Sequence, residues 1–390
     1  MLARPQDGSR RPLLTTVLFL AIGACNGQVA NPGAASGIEI PGGPAGNGSD
    51  GGGIDAGGRS DAGAPDGGRT DAGTTDAGKS SDAGASDDAF PPSSTIYQDV
   101  SGAPLDPSSA ETIAHLAVVG WGSGAMQIDF SFDVLHADTS VQPRAFTPAR
   151  GYYTPDCDQL PVPVPAGGAT EGSTTYACDA AQNDCHLLVY QGRRLYELYQ
   201  ANIAGGLATG SPFTTTCAVV WDLDRDYWQP ATPYSRGDQC TSADAAGLPI
   251  APLLVTGAEL QAGVVRHALR FILPNPRMAS GVFLHPATHA GGPSGGALYP
   301  PYGARFRLRS SFDLARLSNA AARAVAVALQ TYGMILADGG NIPLTMDRSA
   351  AAFLGSRDLA LLQVTDFEMV VAPSGRIPLT YDCTRTPVTH

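Results

Sequence analysis

Arg305-Phe306-Arg307-Leu308-Arg309 alternates charged and apolar residues without a break. Successive side chains of a β-strand point to opposite faces, so this stretch predicts a strand with one face on a core and the other toward solvent. The same period of two recurs on the N-terminal side. His186–Tyr190, Leu195–Ala201, Cys217–Leu223 and Val264–Ile272 are short runs bounded by Gly, Pro, Asn or Asp, as Arg305–Phe312 is. Two segments break the pattern with helical spacing. Pro107–Val118 reads as a short helix with Asp106 as N-cap. Leu317–Tyr332 reads as a longer one, capped by Ser318, faced by Val325, Ala328 and Leu329, and ended by Gly333. Many short strands and few helices predict a mainly β fold, a β-sandwich or jelly-roll-like single domain with one or two short helices.

Composition sets the limits of that domain at residues 91–390. Before it, residues 26–90 carry almost no apolar side chain larger than Ala, and Asp-Ala-Gly recurs at Asp55, Asp61, Asp71, Asp76 and Asp82. Such a segment buries too little apolar surface to offset chain entropy and is expected to be a disordered linker. A Gly-rich coil of this length spans on the order of 45 Å. Its ten acidic residues face Arg59, Arg69 and Lys79, a net charge of −7 that extends it further. The Asp-x-Asp-x-Asp-Gly order of a calcium loop is absent. The domain carries 25 acidic residues against 18 Arg, and Lys does not occur after Lys79. No basic stripe is present to neutralise phosphates, so nucleic acid is not an expected partner. The lack of Lys removes Schiff-base chemistry and a phosphate-cradling P-loop.

At the other end of the chain, Arg4, Arg10 and Arg11 precede the apolar run Leu13–Ile22, which closes on Gly23-Ala24-Cys25. The run is too short to cross a bilayer, and the layout is that of a secretory signal. Small residues before Cys25 resemble the lipobox of bacterial lipoproteins. That resemblance implies a signal peptide over residues 1–24, lipid on Cys25, and a linker over 25–90 that tethers the domain to a membrane. Asn26 rather than Asp after the Cys points to the outer membrane. Six further cysteines (Cys157, Cys178, Cys185, Cys217, Cys240 and Cys383) are an even number in an exported chain and imply three disulfides, with Cys157–Cys178 an expected pair. Their spacing is not that of a zinc site, and neither metal nor cofactor is expected.

Several stretches resemble a family of secreted, largely uncharacterised β-rich bacterial proteins often found near polysaccharide-related modules. They are Asp99–Ala110, His186–Tyr199, Thr241–Ile250, His267–Phe271, Pro301–Leu314 and Thr331–Gly339, in the family's order. The resemblance implies a β-rich extracellular fold more than an activity. This chain departs from the pattern after Asp338, where Gly339-Gly340-Asn341-Ile342-Pro343 replaces Asn-Gly-Ser and aromatics, and at His285, where the family has an aromatic.

Cleaving a glycan needs two carboxyl groups across the scissile bond, one acid and one base or nucleophile. Asp338 follows the apolar run Met334–Ala337 and so emerges at the end of a buried strand, although Asp before Gly-Gly also suits a plain turn. Glu197 sits between aromatic rings in Leu195-Tyr196-Glu197-Leu198-Tyr199, where it could equally pair with an Arg. His267, in an apolar strand, and His289, ending His285-Pro286-Ala287-Thr288-His289, are candidate bases for a lyase, metal ligands, or hydrogen-bonded core residues. Asp222, Asp224 and Asp226 read as a solvated loop, and Ser294 as part of a Gly-rich loop rather than a nucleophile. Trp221, Tyr227 and Trp228 are candidate sugar-stacking residues, with Tyr227 and Trp228 the better placed for a surface. The leading expectation is a surface-tethered lipoprotein acting on extracellular polysaccharide as hydrolase or lyase. The alternatives are a carbohydrate-binding protein without catalysis and a structural envelope component.

Overall fold

The computed structural model describes residues 88–181, 183–208, 210–229 and 233–388. The lipidation candidate Cys25, the signal peptide and all but the end of the expected linker lie outside them. In the described residues the helices and strands begin with α1 (Ser109–Val119), β1 (Ile128–Phe132), β2 (Val134–His136) and β3 (Thr147–Pro148). It continues through β4 (Leu187–Gln191), β5 (Arg194–Tyr199), β6 (Asn202–Ile203), β7 (Phe213–Thr215) and β8 (Cys217–Asp222). Next come α2 (Gly257–Ala262), β9 (Leu269–Leu273), β10 (Val282–Phe283), β11 (Arg305–Leu308) and α3 (Ala320–Thr331). The last elements are β12 (Met334–Gly339), β13 (Leu344–Asp347), β14 (Phe367–Val370) and β15 (Ile377–Pro378). The fold is mainly β, as the alternation requires.

Two sheets organise it. The larger has the order β1-β13-β9-β12-β11-β14 and is mixed: β1 runs parallel to β13 and β9 parallel to β12, while the remaining pairs are antiparallel. The smaller has the order β2-β4-β5-β8. Its two faces enter different cores. Leu188, Tyr190, Leu195, Val219 and Trp221 join the main core, while Leu187, Val189, Tyr196, Leu198, Ala218 and Val220 face a second cluster with Val162, Ile203 and Phe213. Burial on both faces corrects the period-two reading of these strands, whose apolar residues run on continuously rather than alternating cleanly.

The opening stretch behaves differently from its reading. Arg305 and Arg307 of β11 are buried, not solvated. Arg305 donates to the carbonyls of Tyr332, Thr95 and Gln98, and Arg307 to those of Val100, Ser101 and Ala103 and to the Glu368 carboxylate. The guanidinium fork thus fastens residues 95–103 over the strand, using donors that would otherwise need water.

The helices are also adjusted. α3 is capped by Asn319, whose side chain accepts from the Ala321 amide, and not by Ser318. At α1 the Asp106 carboxylate accepts from the Ser108 amide and hydroxyl, one turn before the helix, and Ser108 is the N-cap. α2, with a Thr256–Glu259 capping box, has no counterpart in the sequence expectation. The domain also starts before residue 91, since Phe90 is buried edge-on against Trp221, Tyr227 and Trp228.

Three disulfides form: Cys157–Cys217, Cys178–Cys185 and Cys240–Cys383. The expected Cys157–Cys178 pair is therefore wrong. Cys217 opens β8, and that strand runs beside the 149–158 segment: the Ala149 amide donates to the Thr215 carbonyl and the Asp158 amide to the Ala218 carbonyl. Cys178 instead closes a short local loop.

Candidate functional site

The site forms at the carboxyl ends of the parallel neighbours β9 and β12, in the middle of the larger sheet. Met334, Ile335 and Leu336 pair with Leu269, Arg270 and Phe271, so Ile335 shares a face with Arg270. Simple alternation would then put Asp338 on the opposite face. The register slips between Leu336 and Asp338, however, and Asp338 pairs with Ile272, on Arg270's own face. A bulge at Ala337 thus turns the carboxylate toward the guanidinium. The bulged segment is tied down by the Ala246 amide, which donates to the Ala337 carbonyl at 3.0 Å.

Arg270 is almost wholly buried. Its Nη2 donates to Asp338 Oδ2 at 2.8 Å, and Nε and Nη2 lie 2.9 and 2.8 Å from Asp244 Oδ1. Nη1 reaches Thr345 Oγ1 at 3.3 Å, and the Phe132 ring lies 5.5 Å away. Burial works against the Arg270 charge, but Asp244 and Asp338 outweigh it and hold the guanidinium above its ordinary range. Burial raises Asp244, and its proximity to Asp338 adds to the rise against the pull of Arg270. The other Asp338 oxygen accepts from the Gly339 amide at 2.7 Å.

A second acidic group stands behind this one. His186 Nδ1 lies 2.6 Å from Glu171, and its Nε2 is 3.0 Å from the Ala243 carbonyl, in the segment that carries Asp244. Burial opposes charge on His186, yet Glu171 and then Asp184 raise it to about 9. Asp184 itself is pushed up to about 6, first by burial.

Asp338 opens onto a cavity of about 460 Å³. Tyr153, Tyr199, Tyr302 and Tyr381 wall it, and Asp156, Asn275, His289, Thr241, Ser242 and Gln239 add polar groups; among the described residues no Lys or Arg lines it. Asn275 follows β9 by two residues, and its Oδ1 is buried without a hydrogen-bond partner. Close approach requires glycine here: a Cβ on Gly339 would lie 2.4 Å from that oxygen, and one on Gly291 2.6 Å from His289 Cε1. His289 Nδ1 is 3.0 Å from the Ala245 carbonyl and 3.1 Å from the Gly291 amide. Burial lowers the His289 pKa and so disfavours the charged ring.

Of the sequence candidates, Asp338 and His289 thus meet in one cavity. Glu197 does not line it. It lies wholly buried, where Oε1 accepts from the Ile250 and Ala251 amides at 2.8 Å each and Oε2 from Trp221 Nε1 at 2.9 Å. Burial raises its pKa to about 7 against those three donors. It clamps residues 250–251 to the smaller sheet. His267 likewise lies outside the cavity and pairs with Glu259 at 3.1 Å, beside α2. Trp221, Tyr227 and Trp228 are buried around Phe90, so the expected exposed stacking surface is an internal aromatic cluster. Asp156, Asn275, Tyr302 and Tyr381 escaped sequence reasoning, because nothing in their neighbours marks them. Asp244 and Arg270 carried a signal in being charged within otherwise apolar stretches. Among the described residues Asp156 also lies beside Cys240 and Cys383, but those sulfurs are bonded to each other and offer no thiolate to a metal.

No family model, curated protein or solved structure matches the chain. No helix among the described residues is long and apolar enough to cross a membrane.

Proposed function

We propose that the cavity binds a segment of neutral glycan and that the protein is a hydrolase of extracellular polysaccharide. One observation carries this reading. Four tyrosines wall a cavity whose charged lining, among the described residues, consists of two carboxylates, Asp156 and Asp338, beside His289, whose charged form burial disfavours, with the Arg270 guanidinium paired behind Asp338. Pyranose rings offer flat C–H faces to aromatic rings and hydroxyls to amides and carboxylates. Uronates would meet Asp156 and Asp338, while the Arg270 guanidinium is already shared between Asp244 and Asp338, which disfavours the lyase alternative. The three disulfides suit an oxidising compartment, and export with a lipid tether on Cys25 completes the proposal.

In the proposed reaction the glycosidic C–O bond breaks, and water supplies a hydroxyl to the anomeric carbon and a proton to the leaving oxygen. Asp338 provides the fixed negative charge facing the oxocarbenium-like centre, and Asp156 is the second carboxyl group of the pair. A second reading, glycan binding without cleavage, is favoured by the fact that both Asp338 oxygens already accept hydrogen bonds, from Arg270 and Gly339. The two readings separate in one experiment. Incubation of the protein with neutral polysaccharides should release new reducing ends, and the Asp338→Asn and Asp156→Asn variants should not. Retention without release in all three would support binding alone.

A further inference from the structure

We infer that Tyr381 is the sugar-stacking platform at the cavity mouth, held in place by a C-terminal strap clasped through Cys240–Cys383; this rests on the glycan reading above. Tyr381 is a cavity-lining aromatic that is largely exposed, at 60%. Its ring meets the buried His289 edge-on, with centroids 5.7 Å apart, so the rest of the ring remains open to a ligand. Its φ of +63° is a conformation that a bulky L-residue rarely adopts. Gln239, which also lines the cavity, has a φ of +72°. Strained backbone of this kind persists where the surroundings over-determine it, and it concentrates at ligand sites.

The surroundings do over-determine it. On one side of Tyr381, the Thr380 amide donates to Gln239 Oε1 at 2.7 Å, and Gln239 Nε2 donates to the Pro378 carbonyl at 3.1 Å. Just before, β15 pairs with β10. On the other side, Cys383 is bonded to Cys240, next in sequence to Gln239, and Arg385 donates to the Pro155 and Cys157 carbonyls and pairs with Asp158. The strap is therefore fixed at both ends to cavity-lining segments, with one tyrosine presented between them. A loop-borne aromatic clamped in this way loses little freedom on binding, which is what a stacking platform requires.

The test measures affinity directly, by calorimetry with cellohexaose, laminarihexaose, xylohexaose and mannohexaose as probes, every protein carrying Asp338→Asn so that no probe is cleaved during the titration. The otherwise wild-type chain, Tyr381→Ala, Tyr381→Phe and a Cys240→Ser/Cys383→Ser double variant are compared, with folding checked by thermal melting. The expected result is that Tyr381→Ala weakens the best probe by about tenfold or more while Tyr381→Phe keeps the affinity of the otherwise wild-type chain. The double variant is expected to lose affinity as Tyr381→Ala does. Unchanged affinity in Tyr381→Ala overturns the platform while leaving the glycan reading intact. Equal loss in Tyr381→Phe and Tyr381→Ala overturns stacking in favour of a hydroxyl contact. Binding of no probe by the otherwise wild-type chain overturns both readings together.

Discussion

Arg270 Nη2 lies 2.8 Å from Asp338 Oδ2, and the two residues face each other because β12 slips by one residue against β9 between Leu336 and Asp338. The contact depends on that bulge. Deleting Ala337 would remove the extra residue, so Asp338 would follow Leu336 in regular pairing and stay opposite Ile272 on the Arg270 face, at the loss of the carbonyl that accepts from the Ala246 amide. The expected outcome is a lower melting temperature with glycan cleavage retained. Loss of cleavage in a deletion variant that remains folded would contradict this account of the register.

Removing the cation should be more damaging than removing either anion. Arg270→Ala leaves Asp244 and Asp338 buried together without a counterion, a change that costs about 3–5 kcal/mol in comparable buried pairs. Arg270→Lys should recover only part of this, because one ammonium cannot span Asp244, Asp338 and Thr345 as the fork does. Denaturant unfolding of the two variants beside wild type measures both effects.

Stability should fall on the alkaline side. His186 is raised from its ordinary 6.5 to about 9 by Glu171 and Asp184, so its folded form binds the proton more tightly than its unfolded form. The contribution is complete below about pH 6.5 and is lost as pH rises through about 9. It amounts to roughly 3 kcal/mol. His186→Gln should melt lower than wild type at pH 6 and approach it at pH 9 and above, in a series of melts at constant ionic strength. A constant gap across that range would rule the pair out as the cause.

Glu197 should behave as a structural clamp rather than a catalytic group. Glu197→Ala orphans two backbone amides and the Trp221 indole, at a cost of roughly 3 kcal/mol or more. Glu197→Gln keeps acceptor oxygen at the site and should lose less. Neither variant should change the affinity of a bound glycan while it remains folded, which calorimetry below the melting range would establish.

Much of the fold was legible from period and composition. The runs at His186–Tyr190, Leu195–Ala201 and Cys217–Leu223 became β4, β5 and β8 almost residue for residue, because both their faces are buried and apolar content alone marks them. Arg305 and Arg307 misled, since alternation with charge normally means solvent, whereas here carbonyls of residues 95–103 take the place of water. Asp338 was legible as a carboxylate ending a buried strand, but its direction was not, because a bulge leaves no mark on the sequence. Tyr227 and Trp228 failed as surface candidates because Phe90, placed in the linker by composition, folds over them. Tyr381 could not be found at all: contacts distant in sequence, the Cys240–Cys383 bond and the Gln239 hydrogen bonds among them, bring it to the cavity, and such pairing is not readable from spacing.

The most direct test is release of reducing ends from a panel of neutral and uronate polysaccharides, by wild type and by a folded Asp338→Asn variant. The expected result is release from at least one neutral polymer by wild type, none by the variant, and none from uronates by either. Release from uronates with unsaturated ends, or equal release by wild type and variant, would contradict a neutral-glycan hydrolase centred on Asp338.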